Sequence, residues 1–297
     1  MADSNEDTPQ GLAFAVTAYL LWGVVPLYMK LLSHIPAVEI VAHRVLWSIP
    51  VAGLVVWATG RTADLKVALR SPQMLGMAAL TAAVIAINWG IYIVAITSGN
   101  AMQAALGYYM NPLFSVFLAS VLLRETLTPT QWVAIGLATA GVVVLTVGSG
   151  EVPLVALGIT VSWAIYAYLK KSLPIGPNQA FMLEVLILLP FALGWLAWIG
   201  SSGVFARGEA HDIWLLLGVG PVSAIPLIVY ANGAKRLRLS TIGILQYIAP
   251  TMIFLIAVFL FGEPFGTAQS IAFPLIWAAL VVYSVPMLRQ ARRNRAK

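Results

Sequence analysis

Residues 107–131 read "GYYMNPLFSVFLASVLLRETLTPTQ", and residues 245–269 read "LQYIAPTMIFLIAVFLFGEPFGTAQ". Laid over one another at an offset of 138, they pair Tyr109 with Tyr247, Pro112 with Pro250, Glu125 with Glu263 and Gln131 with Gln269. Extending the register without a gap to residues 88–148 and 226–286 gives 13 identities in 61 positions. Eight are Ala, Leu or Val, which so apolar a chain matches cheaply; the other five, Tyr92 with Tyr230 included, carry the inference of an internal repeat. The openings of the two halves agree as well at an offset of 141, where Trp22 meets Trp163 and Lys30 meets Lys171.

Composition decides what kind of chain repeats in this way. With 297 residues, 60% hydrophobic, 9% charged and a mean hydropathy of +0.89, it is an integral membrane protein and not a soluble domain. Apolar windows fall near 12–32, 37–58, 72–95, 101–123, 130–148, 153–171, 179–199, 213–233, 241–261 and 268–288. A helix of about 20 residues crosses a hydrocarbon core of roughly 30 Å, so the expected fold is all-α with ten transmembrane helices. Five spans per half place the halves in opposite orientation, an inverted repeat around a central cavity. We expect one transmembrane domain over 1–297, pseudo-repeats at 12–148 and 153–288, and cytoplasmic tails at 1–11 and 289–297.

Charge placement supports that orientation. With a cytoplasmic N-terminus, 14 of the 17 Lys and Arg lie on the cytoplasmic side, Lys30 and Arg207 lie opposite, and Arg44 lies within the bilayer. The formal charge of +6 and pI near 9.7 therefore orient the chain in the lipid bilayer and do not point to nucleic acid. There is no cysteine, hence no disulfide or thiolate chemistry. Asp3, Glu6 and Asp7 stand where a signal peptide is basic, so the first apolar segment is expected to stay attached.

At this point the residues carry a resemblance. Ten helices in two halves, each half closing on Pro, then Glu, then Gln, resemble the drug/metabolite transporter superfamily, EamA type. "AYLLWGVVPLYMKLL", "EIVAHRVLWS" and "LGYYMNPL" look like its RarD-like branch, and bacterial aromatic amino-acid exporters belong to the same superfamily. The resemblance implies an exporter of small metabolites in the bacterial inner membrane. It also implies a cavity lined by spans one to four and six to nine, with spans five and ten peripheral. Windows 130–148 and 268–288 hold no Asp, Glu, Lys, Arg or His, as packing helices would.

Each polar or aromatic feature has a structural reading beside a functional one. Pro112 and Pro250 fall near the centres of spans four and nine, where a proline removes a helical hydrogen bond and makes either a fixed kink or a hinge. Tyr108, Tyr109, Asn111, Gln246 and Tyr247 lie within a turn of them, and a broken helix beside a cavity exposes such groups to a solute. Trp132, Trp195, Trp198 and Trp214 suit interfacial belts. Trp22, Trp89, Tyr92, Trp163, Tyr166 and Tyr230 lie deeper, lining the cavity or packing helices; ring faces with polar tips suit aromatic solutes.

"VEIVAHRVLWSIPV", residues 38–51, sets Glu39, His43 and Arg44 in an apolar run. At about 1.5 Å per residue from Ala37, Glu39 is expected near water and His43 and Arg44 roughly 10 Å deep. Arg44 either bonds the carbonyl ends of a neighbouring helix or faces the aqueous path and attracts a substrate carboxylate. His43 and Glu184 are candidates for proton coupling, although Glu184, close to its helix end, also suits snorkelling. Glu125 and Glu263 mark the repeat structurally: in "TPTQ", Thr128 caps, Pro129 opens a helix and Gln131 reaches back. Small residues such as Gly136 and Ala140 suit helix packing, within a monomer or between two copies.

Other classes are thinly supported. The chain has no G-x-x-x-x-G-K-[ST], no H-E-x-x-H and only three scattered histidines, so no ATP-driven pump, metal or cofactor is expected. For an intramembrane hydrolase, Ser48 five residues after His43 is a weak pairing. A receptor-like protein is the other alternative. The reading is a secondary transporter of small molecules, amino acids first and bulky or aromatic ones above all, with multidrug or nucleotide-conjugate export behind it.

Overall fold

The computed structural model describes residues 8–123, 127–171, 174–234, 236–237 and 245–295. Among these residues eleven α-helices follow one another: α1 Pro9–Leu31, α2 Ala37–Ala58, α3 Thr62–Leu69, α4 Pro72–Thr97, α5 Ala101–Leu123, α6 Pro129–Ser149, α7 Leu154–Lys171, α8 Pro177–Ile199, α9 Ala210–Ala234, α10 Ile248–Leu255 and α11 Thr267–Arg295. There is no strand among the described residues. Seven of the helices, α1, α2, α4, α6, α8, α9 and α11, are long and apolar enough to cross a membrane, while α7 and α10 form shorter apolar helices. Each apolar window of the sequence overlaps one helix. The eight-residue α3 was not expected; it occupies the link between α2 and α4, where Arg61 reaches Asp64 at 3.3 Å.

The helices begin where their caps dictate. Thr8 accepts the Gly11 N–H at 3.0 Å ahead of Pro9, and Ser71 accepts the Met74 N–H at 3.3 Å ahead of Pro72. "TPTQ" forms the expected capping box, with Gln131 Oε1 accepting the Thr128 N–H at 2.8 Å. Its repeat counterpart Gln269 does the same for the Gly266 N–H at 3.1 Å, which explains why the two glutamines match.

The two repeat prolines behave differently. Pro112 lies inside a continuous α5, as expected. Pro250, expected mid-helix within 241–261, instead stands in the first turn of α10, after a turn at Gln246 and Tyr247. Proline has no N–H to give the carbonyl four residues back, here Gln246, and its ring presses on that carbonyl. The break falls at that residue. Beyond α10 the helix widens into a π turn, Ile256–Leu260, where the Phe261 N–H reaches the Ile256 carbonyl at 2.9 Å.

Packing joins the two halves throughout. α2 lies against α8 and α9, α5 against α7 and α10, α1 against α9 and α10, and α4 against α7 and α8. The charge-free helices α6 and α11 lie along each other. Their seam uses Gly141 against Ile276 and Gly148 against Ala268; Gly136 and Ala140 are exposed and do not pack helices within the chain. A Cβ on Gly136 meets nothing within 4 Å.

Candidate functional site

One cluster gathers six of the expected site residues at the meeting of α2, α4, α5 and α7. The Arg44 guanidinium carbon stands 4.1 Å from the Trp89 ring centre, and the Tyr92 and Tyr108 hydroxyls are its polar neighbours. Tyr92 and Tyr108 lie 5.9 Å apart between ring centres, Tyr108 meets Trp163 edge-on at 6.5 Å, and Trp163 meets Tyr166 at 5.8 Å. No carboxylate pairs with Arg44 among the described residues, and its buried Nε has no hydrogen-bond partner. Among the described residues Arg44 has no hydrogen bond to a helix carbonyl and no ion pair with Glu39.

Two further clusters take up other expected residues. Trp22 on α1 meets Tyr230 on α9 at 5.4 Å, with Tyr19 packed against both. Tyr109 turns away from Tyr108, because successive helical residues point about 100° apart. It is buried, stacks on its repeat counterpart Tyr247 at 6.5 Å, bonds Thr251 Oγ1 at 2.8 Å and meets Trp277 of α11. The structure thus places Tyr109 in helix packing between the halves. Asn111 is buried with its Oδ1 unpartnered, and Gln246 lies in the turn ahead of α10.

The polar face of α2 differs from expectation. Glu39, expected within reach of water, is 3% exposed and accepts the Phe205 N–H at 3.3 Å. The segment after α8 folds back over α2, setting the Phe205 ring 4.9 Å from His43. His43 Nδ1 accepts the Trp47 indole N–H at 3.1 Å, which leaves Nε2 to carry the proton, buried and unpartnered. Ser48, one turn past Arg44, is also buried and unpartnered.

Glu184 does not snorkel. It is fully buried and receives the Lys170 ammonium at 2.7 Å and the Tyr166 hydroxyl at 3.1 Å. By sequence Lys170 is one of the 14 cytoplasmic-side Lys and Arg, and nothing in the local sequence links it to a residue 14 positions on.

Glu263 has a definite structural task. Its two carboxylate oxygens accept the Ala101 N–H at 2.6 Å and the Met102 N–H at 2.8 Å, so a residue of the second half caps α5 of the first. Burial raises its carboxyl above the ordinary 4.5, against the pull of those N–H groups and of Lys30. The counterpart Glu125 lies outside the described residues. A cleft of about 180 Å³ beside the cap is lined by Gln103, Glu151 and Gln269 among others.

Comparison with known proteins accords with this architecture. Residues 9–147 match the EamA-like transporter family. The chain is 41% identical over 290 residues to Protein RarD of Streptomyces exfoliatus, covering 97% of this chain and 92% of that one. It is 37% identical to the uncharacterized transporter YojE of Bacillus subtilis, covering 98% and 99%, and 34% identical to the chloramphenicol-sensitive protein RarD of Pseudomonas aeruginosa, covering 96% and 98%. A crystal structure 21% identical in sequence superposes with a TM-score of 0.61 over 93% of this chain and 97% of its own, a likeness of fold. Helical architecture, cluster and relatives converge: the chain is a membrane transporter and belongs to the EamA-like family of the drug/metabolite transporter superfamily, in its RarD-like branch.

Proposed function

We propose that this protein is a secondary transporter exporting small metabolites, bulky or aromatic neutral amino acids first, across the bacterial inner membrane by alternating access. The observation that carries the reading is Arg44 over Trp89, a half-buried cation with no carboxylate paired to it among the described residues, beside the rings of Tyr92, Tyr108 and Trp163. A solute bearing both a carboxylate and a ring supplies the missing anion and stacks on the same aromatic wall.

The arrangement proposed is ten spans in two inverted five-helix halves, with both termini cytoplasmic. It draws support from the packing, where exchanging the halves maps α1 on α9 onto α7 on α4, and α5 on α7 onto α10 on α1. The pairs α2 with α8 and α6 with α11 map onto themselves. Such a molecule has two related packings of similar energy, which rocking interconverts. Trp22 with Tyr230 and Trp163 with Tyr92, bridged by Tyr108, are then the corresponding aromatic sets of the two halves, and Pro112 and Pro250 the hinges. No catalytic role is proposed.

Export of uncharged aromatic drugs is a second reading, favoured by the name of the Pseudomonas relative, chloramphenicol-sensitive protein RarD. It uses the same rings but leaves Arg44 without a task. Counterflow of labelled phenylalanine into proteoliposomes, competed by amino acids, chloramphenicol and nucleotide sugars, separates the two. Competition by aromatic amino acids that disappears in Arg44→Gln supports amino-acid export. Soundly folded protein without phenylalanine counterflow overturns it.

A further inference from the structure

The ion pair of half-buried Lys170 and buried Glu184 lies at the far end of the aromatic series from Arg44. Lys170 Nζ donates to Glu184 Oε1 at 2.7 Å and to the Tyr166 hydroxyl at 2.8 Å, and that hydroxyl donates to Glu184 Oε2 at 3.1 Å. The pair ties together two helices that pack mainly elsewhere, α7 against α4 and α5, and α8 against α2 and α4. Any movement that parts α7 from α8 therefore breaks it.

The two charges would not fare alike. Lys170 is the next-to-last residue of α7 and its side chain is 20% exposed, so its long stem can carry the ammonium to water. Glu184 is the eighth residue of α8 and its side chain is 0% exposed. A bare carboxylate in apolar surroundings is far more costly than a neutral acid. Among the described side chains no other cation pairs with it. The faces that α2, α4 and α9 turn to this stretch are apolar, with Gly53, Trp89 and Leu227, while α3 brings Arg61 and Asp64, bound to one another, and an exposed Lys66.

We propose that Glu184 is the proton carrier of the transport cycle, with Lys170 as the counter-ion that holds it ionised while α7 and α8 are together. When the helices part, Lys170 keeps its ammonium protons and turns to water, and Glu184 takes one proton from water, its carboxylate becoming a carboxylic acid. When they close again, that proton returns to water as the ion pair re-forms. Tyr166 joins this switch to the wall that ends at Arg44. The inference rests on the transporter reading and adds the ion to it.

The test uses the full chain in proteoliposomes loaded with a pH-sensitive dye and labelled phenylalanine. Wild type is expected to move protons with net phenylalanine flux. Glu184→Gln is expected to lose that proton movement roughly tenfold or more while phenylalanine counterflow stays within about threefold, because exchange needs no net proton. Glu184→Asp keeps a titratable acid and should retain part of the proton movement; it replaces the glutamine variant if that does not fold. Proton movement in Glu184→Gln equal to wild type, or phenylalanine flux without protons in wild type, overturns the proposal. Infrared pH-difference spectra of the purified protein give a readout independent of substrate, a carboxylic-acid band present in wild type and lost in Glu184→Gln. If phenylalanine counterflow fails in wild type, the amino-acid reading falls, and presence or absence of that band alone decides whether Glu184 carries a proton.

Discussion

The Arg44 guanidinium lies over the face of Trp89 at 4.1 Å with no carboxylate to meet it among the described residues. A half-buried cation whose Nε has no hydrogen-bond partner is costly unless something compensates it. The ring supplies part of that compensation, and the proposed substrate supplies the rest.

Replacing Arg44 with Gln should therefore weaken phenylalanine binding by about tenfold or more, the loss of one charge-assisted contact worth roughly 1.5–3 kcal/mol. Competition by an aromatic solute without a carboxylate should change little. Trp163→Ala should weaken both, since it removes ring contact and not charge. Apparent affinities from counterflow competition check this, and equal effects of Arg44→Gln on the two solutes would remove Arg44 from carboxylate recognition.

Glu263→Ala should cost about 1 kcal/mol of stability by uncapping α5, read as a lower thermal midpoint in detergent. The pH dependence has a definite sign. Because burial raises the folded carboxyl above 4.5, folding favours its protonated form, and this contribution is complete below about that pH and lost as pH rises through the raised value. The midpoint of wild type should gain, on acidification from neutrality, a component that Glu263→Gln lacks.

Pro250→Ala restores an N–H opposite the Gln246 carbonyl and should let the helix run through the present turn. Transport should slow more than folded yield falls. Equal losses of counterflow rate and of monodisperse protein would leave the turn a purely structural role.

Tyr109→Phe removes the hydroxyl bonded to Thr251 and should lower stability by about 1 kcal/mol. Phenylalanine affinity should stay unchanged, because Tyr109 faces α10 and α11 and not Arg44. Tyr108→Phe, beside Arg44, is the contrasting variant and should shift affinity.

What the sequence by itself determined is what depends on periodicity, caps and composition. Apolar windows located the helices because lipid-length segments without charge have no other stable form. "TPTQ" announced its capping box because the partners are three residues apart, and Gln131 and Gln269 announced the repeat because both do the same local task. Only the tertiary structure decided which side chains meet. Glu263 caps a helix that begins 162 residues earlier in the chain, and Lys170 finds Glu184 on the next helix, which no local pattern links to it. Tyr108 and Tyr109 look alike in the chain, yet they belong to different clusters, because neighbouring positions on a helix face different partners. Glu39 reads as a residue near water by depth alone and is covered by Phe205, since depth along one helix carries no record of what folds over it.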